Sequence, residues 1–227
     1  MVARSESALK NLAEELNQKY SVKAYYLAIN LCESDSAKYI YDWCKSNNLI
    51  INVLVNNAGV GWFGNFNETD LTKHLNIIEL NITSLVTLTH YFLDDMKKLP
   101  EAYILNVASI VSLYPLPYNS VYAATKAFVL SFTQALRYEL KNTGITASCL
   151  CPGDTDTGFF ENAGGRKLNR KTMSPEVVAQ IAVNSLHKKK SVIYPKYVKL
   201  LSMLPKTMLA FFVSIIVSKY IAGLDKD

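Results

Sequence analysis

Apolar residues recur along the chain in two different patterns. Short apolar runs predict strands, and the longer stretches between them carry apolar residues at the three-to-four-residue spacing of a helix. The pattern predicts strands over 1–5 (the end of a strand), 22–30, 50–55, 102–107, 146–151 and 192–194. It predicts helices over 8–19, 34–47, 68–98, 120–141 and 175–188. Because strand and helix alternate throughout, we expect an α/β fold with a doubly wound parallel sheet.

Several of these elements carry further signals of position. The predominantly apolar strand Ile50–Val55 is typical of a parallel sheet that is covered on both faces. In the first helix, Leu9, Leu12, Ala13 and Leu16 share one face, and Ser5 or Ser7 can cap its start. Ser174 precedes Pro175 and is the predicted N-cap of the last helix.

The stretch from Ile104 to Phe128 carries the strongest chemical signal. An apolar run ends at Ser109, and a later helix carries Tyr122 and Lys126. Residues four apart lie on one helical face, so the phenol and the ammonium are neighbours. A free tyrosine has a pKa of about 10, and a nearby cation favours the phenolate. The three side chains therefore predict proton exchange with a substrate oxygen, although a lone Tyr-x-x-x-Lys is more often only a solvated helix face.

Four motifs, in the same order along the chain, resemble those of the short-chain dehydrogenase/reductase family. Ser109 precedes Tyr122-x-x-x-Lys126 by thirteen residues, as in that family. Asn56-Asn57-Ala58-Gly59 stands where the family has NNAG. Residues 152–157, Pro-Gly-Asp-Thr-Asp-Thr, stand where it has PG-x-x-x-T. The resemblance implies a Rossmann-like fold, a single domain over residues 1–227, and hydride transfer with a nicotinamide cofactor.

The resemblance is incomplete at the front of the domain. The family has a first strand, a Gly-rich phosphate loop and a first helix, whereas this chain has no glycine before Gly59. By this comparison the fold is N-terminally truncated, lacking the first strand and first helix. A fragment, a mispredicted gene start and a degenerate copy remain alternatives. The expected consequences are an unpaired edge at the strand 50–55, low stability and weak nucleotide binding.

The resemblance also implies the catalytic roles. Tyr122 would be the acid/base, Ser109 would hydrogen-bond the reacting oxygen, and Lys126 would lower the phenol pKa and hold the nicotinamide ribose. Asn81 matches a fourth catalytic residue that holds a proton-relay water. An equally good interpretation of Asn81 is a helix-kink residue that bonds to the backbone.

Cofactor contacts follow from the same resemblance. The adenosine side would be lined by Asn57, Ala58 and Gly59, and the nicotinamide end by Pro152, Gly153, Thr155 and Thr157. Tyr122 and Lys126 would also contact the cofactor. Arg4 follows the predicted second family strand, where a cation can pair with a 2′-phosphate, so NADP is favoured over NAD. Asn30 stands where the family usually has an aspartate near the adenine; an amide oxygen can still accept a hydrogen bond.

Substrate preference is expected to depend on the segment 158–175, which is the variable lid by resemblance. Phe159, Phe160, Met173 and Tyr114 could form an apolar pocket, which predicts a lipophilic carbonyl substrate. The C-terminal segment 197–223 is apolar, but its longest uninterrupted run is shorter than a spanning helix needs. A core or dimer helix is the favoured interpretation, with interfacial membrane contact left open.

Composition narrows the classes of partner. The chain has 227 residues, 19% charged, and a net charge of +5. Its one dense basic run, 188–190, lacks interleaved aromatic residues, so no nucleic acid is expected. The four cysteines lack metal-ligand or disulfide-framework spacing, which predicts no metal and a reducing, cytoplasmic location. The family resemblance implies a homodimer or homotetramer.

Two functional hypotheses follow. The first is an NAD(P)(H)-dependent oxidoreductase that interconverts a lipophilic ketone and a secondary alcohol, with Tyr122 as acid/base. The alternative is a truncated, catalytically silent chain that acts at most as an interaction module. The catalytic residues favour the first, and the missing Gly-rich loop favours the second.

Overall fold

Six short parallel strands and seven α-helices make up the part of the protein that the structure describes. This computed structural model describes residues 1–164 and 172–195, together with Val198, Phe211 and Val213. The strands are β1 (Val2–Ala3), β2 (Leu27–Ala28), β3 (Val53–Asn56), β4 (Ala102–Val107), β5 (Ile145–Leu150) and β6 (Val192–Ile193). The predicted strand positions are therefore confirmed, although the strand predicted over 22–30 is only two residues long.

The helices alternate with these strands, as the pattern predicted. They are α1 (Glu6–Tyr20), α2 (Ser36–Ser46), α3 (Leu71–Ile78), α4 (Ser84–Met96), α5 (Ser120–Glu139), α6 (Phe159–Asn162) and α7 (Pro175–His187). Helix α7 begins where predicted, because the Ser174 hydroxyl accepts a hydrogen bond from the Val177 amide at 3.3 Å. Two elements were not predicted: α6, and a 3₁₀ turn over Ile110–Leu113.

The single helix predicted over 68–98 is interrupted. Residues Glu79–Thr83 form a π-helical turn between α3 and α4. Such a turn places one extra residue in the helix and often occurs at functional sites. Asn81 lies within it, so the interruption re-aims this side chain toward the loop after β3.

The described strands form two parallel sheets. One has the order β1-β2, and the other has the order β3-β4-β5-β6. Within the described residues, β1 and β3 share no backbone pairing, and the resemblance places the family's first strand between them. The prediction that strand 50–55 is covered on both faces was wrong: Val53 is 41% and Val55 is 50% exposed. Their faces lack the covering layer that a central parallel strand requires.

The main core lies between the four-stranded sheet and the helices. Strands β4 and β5 are paired along six residues each, from Ala102 opposite Ile145 to Val107 opposite Leu150. Every residue of β5 is buried. Met96 of α4 is fully buried against this sheet. The two central strands therefore form a rigid platform from which the loops at their carboxyl ends project.

Two sequence predictions fall largely outside the described residues. The central part of the predicted lid, 165–171, and nearly all of the C-terminal segment 197–223 lie there. Among the described residues, no helix is both long enough and apolar enough to cross a membrane.

Candidate active site

The predicted site residues meet at the carboxyl edge of the four-stranded sheet. Strand β3 leads into the loop at Asn57, β4 leads into Ser109, and β5 leads into Pro152. Because the strands are parallel, these three loops emerge at one edge, which is where ligands bind in doubly wound sheets. The amide of Ile110 donates to the Pro152 carbonyl at 2.9 Å and joins two of the loops.

Ser109 and Tyr122 are brought together, as the resemblance implies. Ser109 caps the 3₁₀ turn, and its hydroxyl oxygen accepts a hydrogen bond from the Val111 amide at 3.3 Å. Its side chain also lies close enough to the Tyr122 phenol to act on it, in the direction that lowers the pKa of the phenol. Helix α5 carries Tyr122 in its first turn, so the strand end and the helix present two hydroxyl groups to the same point.

The Tyr122 phenol is buried, and this overturns one expectation. The sequence predicts a phenol whose pKa is lowered by Lys126, whereas burial raises the pKa of Tyr122 to about 12, although Ser109 acts in the opposite direction. The ring of Phe159 lies 5.2 Å from the Tyr122 ring between centroids. Gly61 fills the notch between them, since a Cβ there would lie 2.9 Å from Phe159 and 3.2 Å from Tyr122. The aromatic cover excludes the water that a phenolate needs.

Lys126 is buried beneath the loop that follows β3. Its ammonium donates to the Val107 carbonyl at 2.9 Å and lies 5.7 Å from the centroid of the Tyr122 ring. Burial lowers the pKa of Lys126 to about 8, although the neighbouring thiols of Cys149 and Cys151 act in the opposite direction. A Cβ on Gly59 would lie 3.0 Å from this ammonium, so only glycine allows the loop to approach it without displacing the lysine.

Asn81 is fully enclosed and bonded to the backbone. Its amide oxygen accepts from the Val60 amide, and its amide nitrogen donates to the Val60 carbonyl, both at 2.9 Å. The same nitrogen donates to the Thr125 hydroxyl at 2.9 Å. Of the two interpretations from sequence, the described contacts match the kink residue that bonds to the backbone. Asn81 nevertheless lies in the site, next to Gly59.

The segment after β5 turns back across the site. The Thr155 hydroxyl donates to the Gly153 carbonyl at 3.0 Å, and Thr155 forms a parallel bridge with Met173. Thr157 is exposed, and the amide of Phe159 donates to its hydroxyl oxygen at 3.4 Å. The bridge ties together the two ends of the predicted lid, so its base is held in place at the site.

Arg4 and Asn30 lie at the carboxyl ends of the smaller sheet. Arg4 is exposed just after β1, and its charge acts on the Cys32 thiol near the end of β2. The Asn30 side chain accepts a hydrogen bond from the Cys32 amide at 3.2 Å. The parallel pairing of β1 with β2 therefore brings the two predicted adenosine contacts to the same edge.

The residues predicted to form an apolar pocket lie in two places. Phe159 and Phe160 lie at the site, but Met173 instead lines a small apolar pocket with Leu150, Pro152, Val178, Ile181 and Pro195. Tyr114 is close enough to Tyr122 for its charge to affect the phenol. Phe63, which the sequence analysis missed, stacks on Phe160 with centroids 6.1 Å apart. Among the described residues, no cluster of potential ligands could hold a metal ion.

Comparison with known proteins agrees with this arrangement. The family model described as short chain dehydrogenase matches residues 1–167. The chain belongs to the short-chain dehydrogenase family. Its fold is similar to that of an NADPH-bound short-chain dehydrogenase from Sphingobium yanoikuyae, with a TM-score of 0.81 and 25% identity. That likeness covers 100% of this chain and 84% of the other.

Other family members show similar or higher sequence identity. The very-long-chain 3-oxoacyl-CoA reductase of Bos taurus is 29% identical over 196 residues, which is 82% of this chain and 59% of that protein. The rat protein of the same name is 30% identical over the same shares. A sulfoacetaldehyde reductase of Chromohalobacter salexigens is 32% identical over 70% of this chain and 63% of its own length. The chain thus spans about 59% of the length of the first two relatives.

Three residues of this short-chain dehydrogenase site were not predicted from sequence. Gly61 and Phe63 lie in the loop that follows β3, but nothing in the pattern shows which aromatic rings they contact. Thr125 immediately precedes Lys126 on α5, and a threonine inside a helix carries no signal of its own. Their contacts are with residues far away in sequence, so the tertiary structure was needed to find them.

Proposed function

We propose that the whole protein is an NADP(H)-dependent oxidoreductase that interconverts a lipophilic ketone and a secondary alcohol. The observation that carries this proposal is the proximity of the Tyr122 phenol to Ser109 beside the buried ammonium of Lys126. A proton donor, a second hydroxyl and a cation thus converge at the carboxyl edge of a parallel sheet. This set can orient a carbonyl oxygen and supply its proton.

The site fits the nicotinamide-bearing half of the cofactor. Gly59 leaves room for close backbone approach, and Lys126 supplies donors for ribose hydroxyls. When it is bound, NADP(H) supplies or accepts the hydride. NADP is favoured because Arg4 is exposed at the end of β1, where it can pair with a 2′-phosphate. The Sphingobium yanoikuyae relative with NADPH and a Thermococcus sibiricus alcohol dehydrogenase with 5-hydroxy-NADP support this choice.

The protonation state of Tyr122 favours reduction. Burial raises the pKa of Tyr122 to about 12, so the phenol carries its proton near pH 7. It can therefore donate that proton to the oxygen of a ketone as hydride reaches the carbonyl carbon. Ser109, which lies close to the phenol, can hydrogen-bond the same oxygen and orient it. The products are a secondary alcohol and a Tyr122 phenolate, which must regain a proton before the next turnover.

An apolar surface beside the phenol supports a lipophilic substrate. Phe159 contacts Tyr122, Phe160 is packed edge-to-face on Phe159, and Phe63 stacks on Phe160. Burial of a hydrocarbon chain against these rings would stabilise the bound substrate by about 25 cal/mol per Å² of apolar surface removed from water. Two of the relatives are named very-long-chain 3-oxoacyl-CoA reductases. These names support a fatty-acyl carbonyl as one candidate substrate.

The test is a substrate and cofactor survey of the whole protein. NADPH and NADH consumption would be measured with 3-oxoacyl thioesters, long-chain ketones, aryl ketones and, as polar controls, short hydroxy-aldehydes. We expect NADPH oxidation matched by alcohol formation, with kcat/KM increasing with the length of the apolar chain. Absence of nucleotide binding and of turnover with every carbonyl would contradict the proposal and favour the catalytically silent alternative.

Assembly and location are further parts of this proposal. A homodimer or homotetramer through the helices that carry Asn81 and Tyr122 is supported by exposed apolar side chains there: Leu71 and Leu75 of α3 are 65% and 54% exposed, and Phe128 of α5 is 39% exposed. Burial of these side chains at an interface would stabilise the assembly. The four cysteines are free thiols, which supports a cytoplasmic location. Light scattering of the purified protein would give the oligomeric state directly.

A further inference from the structure

Thr125 connects two parts of the site through a single hydroxyl. The hydroxyl donates to the Tyr122 carbonyl at 2.7 Å, one turn back along α5. It also accepts a hydrogen bond from the Asn81 side chain at 2.9 Å. Thr125 is 2% exposed and Asn81 is 1% exposed, so water cannot replace either partner. Both hydrogen bonds are therefore permanent features of the folded protein.

Asn81 extends this connection to the loop after β3. It binds Val60 through two hydrogen bonds of 2.9 Å, one to the amide and one to the carbonyl. The neighbouring Gly59 packs against the Lys126 ammonium. A continuous path thus runs from the loop, through the π-helical turn, to the turn of α5 that carries the phenol and the ammonium.

We propose that Thr125 is a positioning residue that fixes the loop of Gly59 and Val60 relative to Tyr122 and Lys126. This inference rests on the proposed function. Without the hydroxyl, the Asn81 nitrogen retains a buried N–H with no acceptor, which is costly. Rotation of Asn81 to relieve that cost breaks its bonds to Val60 and releases the loop. The reacting groups then lose their alignment, and a displacement of about 1 Å can cost up to about 100-fold in rate.

The chain contains a matched control on the same helix. Thr133 is 1% exposed, accepts a hydrogen bond from the Asn106 side chain at 2.9 Å, and donates to the Val129 carbonyl at 2.6 Å. It therefore has the same chemistry as Thr125, two turns further along α5, where Asn106 belongs to β4. A Val substitution at either position removes one hydroxyl and leaves one buried asparagine N–H without its acceptor. The change at Thr133 reaches this loop only at its start, where the Asn56 side chain donates to Asn106. The change at Thr125 acts on Asn81, which bonds Val60 itself.

The experiment compares Thr125→Val, Thr125→Ser and Thr133→Val with the wild type in three measurements. Thermal unfolding should show a similar loss of Tm for the two Val variants. Hydrogen–deuterium exchange of peptides that contain Val60 should become faster in Thr125→Val alone, because the Asn81 oxygen no longer holds that amide. With a ketone substrate, kcat should fall about tenfold in Thr125→Val with KM changed less than about twofold. Thr125→Ser, which retains the hydroxyl, should restore both readouts.

Two results would overturn the inference. One is unchanged exchange at Val60 in Thr125→Val although its Tm falls as much as in Thr133→Val, since Thr125 would then stabilise the fold alone. The other is an equal fall in kcat for both Val variants, which would assign the loss to general destabilisation. The exchange measurement needs no turnover, so it separates this inference from the proposed function. If the protein shows no oxidoreductase activity, but exchange at Val60 becomes faster in Thr125→Val and not in Thr133→Val, the proposed function is contradicted and the role of Thr125 in holding the loop is not.

Discussion

Phe159 covers the face of Tyr122, with the two ring centroids 5.2 Å apart and the planes inclined by 45°. The backbone of Gly61 touches both rings. Because Phe159 lies in α6, directly after the loop that follows β5, the same segment that forms the predicted lid also sets the environment of the phenol. Access of a substrate to the phenol and the pKa of the phenol are therefore coupled through one side chain.

Replacing Phe159 by alanine should expose the phenol and lower the pKa of Tyr122 from about 12 toward 10. Ketone reduction needs the protonated phenol, so the decrease in kcat at high pH should begin at lower pH than in the wild type. The pH dependence of kcat measures this directly. Phe63→Ala is the control, since Phe63 stacks on Phe160 rather than on Tyr122. An unchanged profile in Phe159→Ala would show that Phe159 does not set the phenol pKa.

Lys126 should produce a characteristic pH dependence of stability. Its pKa is lowered from 10.5 in the unfolded chain to about 8 in the folded protein. Between these values the unfolded state binds more protons than the folded state, so stability must rise with pH from about 8 to about 10.5. A shift of this size corresponds to about 3 kcal/mol.

Urea unfolding of the wild type and of Lys126→Met between pH 7 and pH 10 isolates this contribution. The free energy of unfolding of the wild type minus that of Lys126→Met should increase as the pH increases. The raised pKa of Tyr122 acts in the opposite direction above pH 10, and it is common to both proteins. A difference that stays constant across the range would mean that the ammonium is not desolvated.

Arg4 should discriminate between the two nicotinamide cofactors. Arg4→Ala should weaken NADPH binding about fivefold, as expected for an exposed charged pair worth about 1 kcal/mol. NADH lacks the 2′-phosphate, so its affinity should not change, and Arg4→Lys should retain part of the preference. Isothermal titration of each cofactor makes the comparison. An equal loss for both cofactors would remove the proposed contact with the 2′-phosphate.

Local sequence patterns predicted the elements better than the side-chain contacts. The apolar run that predicts strand 102–107 coincides with β4, because that strand is buried and its burial fixes its composition. The meeting of Ser109 and Tyr122 was also predictable, since the motif spacing places one at a strand end and the other on the next helix. The apolar run alone predicts that Val53 and Val55 are covered, and their exposure was expected only from the resemblance, by which the strand lacks its neighbouring first strand and a covering helix.

Contacts between distant segments account for the remaining differences. The helical pattern continues through Asn81, so the π-helical turn emerges only from the bonds of Asn81 to Val60 and Thr125. Likewise, Tyr122-x-x-x-Lys126 suggests a lowered phenol pKa. Burial of the phenol reverses that expectation, and part of its cover is the ring of Phe159, 37 residues further along the chain. Desolvation and nearby charge act in opposite directions on a phenol, and the motif alone reveals only the charge.

The role of Tyr122 as the proton donor is tested most directly by Tyr122→Phe in the whole protein. This change removes the phenol oxygen and keeps the ring that packs against Phe159 and Gly61. We expect kcat for NADPH-dependent ketone reduction to fall on the order of 10²–10⁴-fold, while the Kd for NADPH and the Tm stay near the wild-type values. A variant that reduces the ketone at close to the wild-type rate would show that the Tyr122 phenol is not the proton donor.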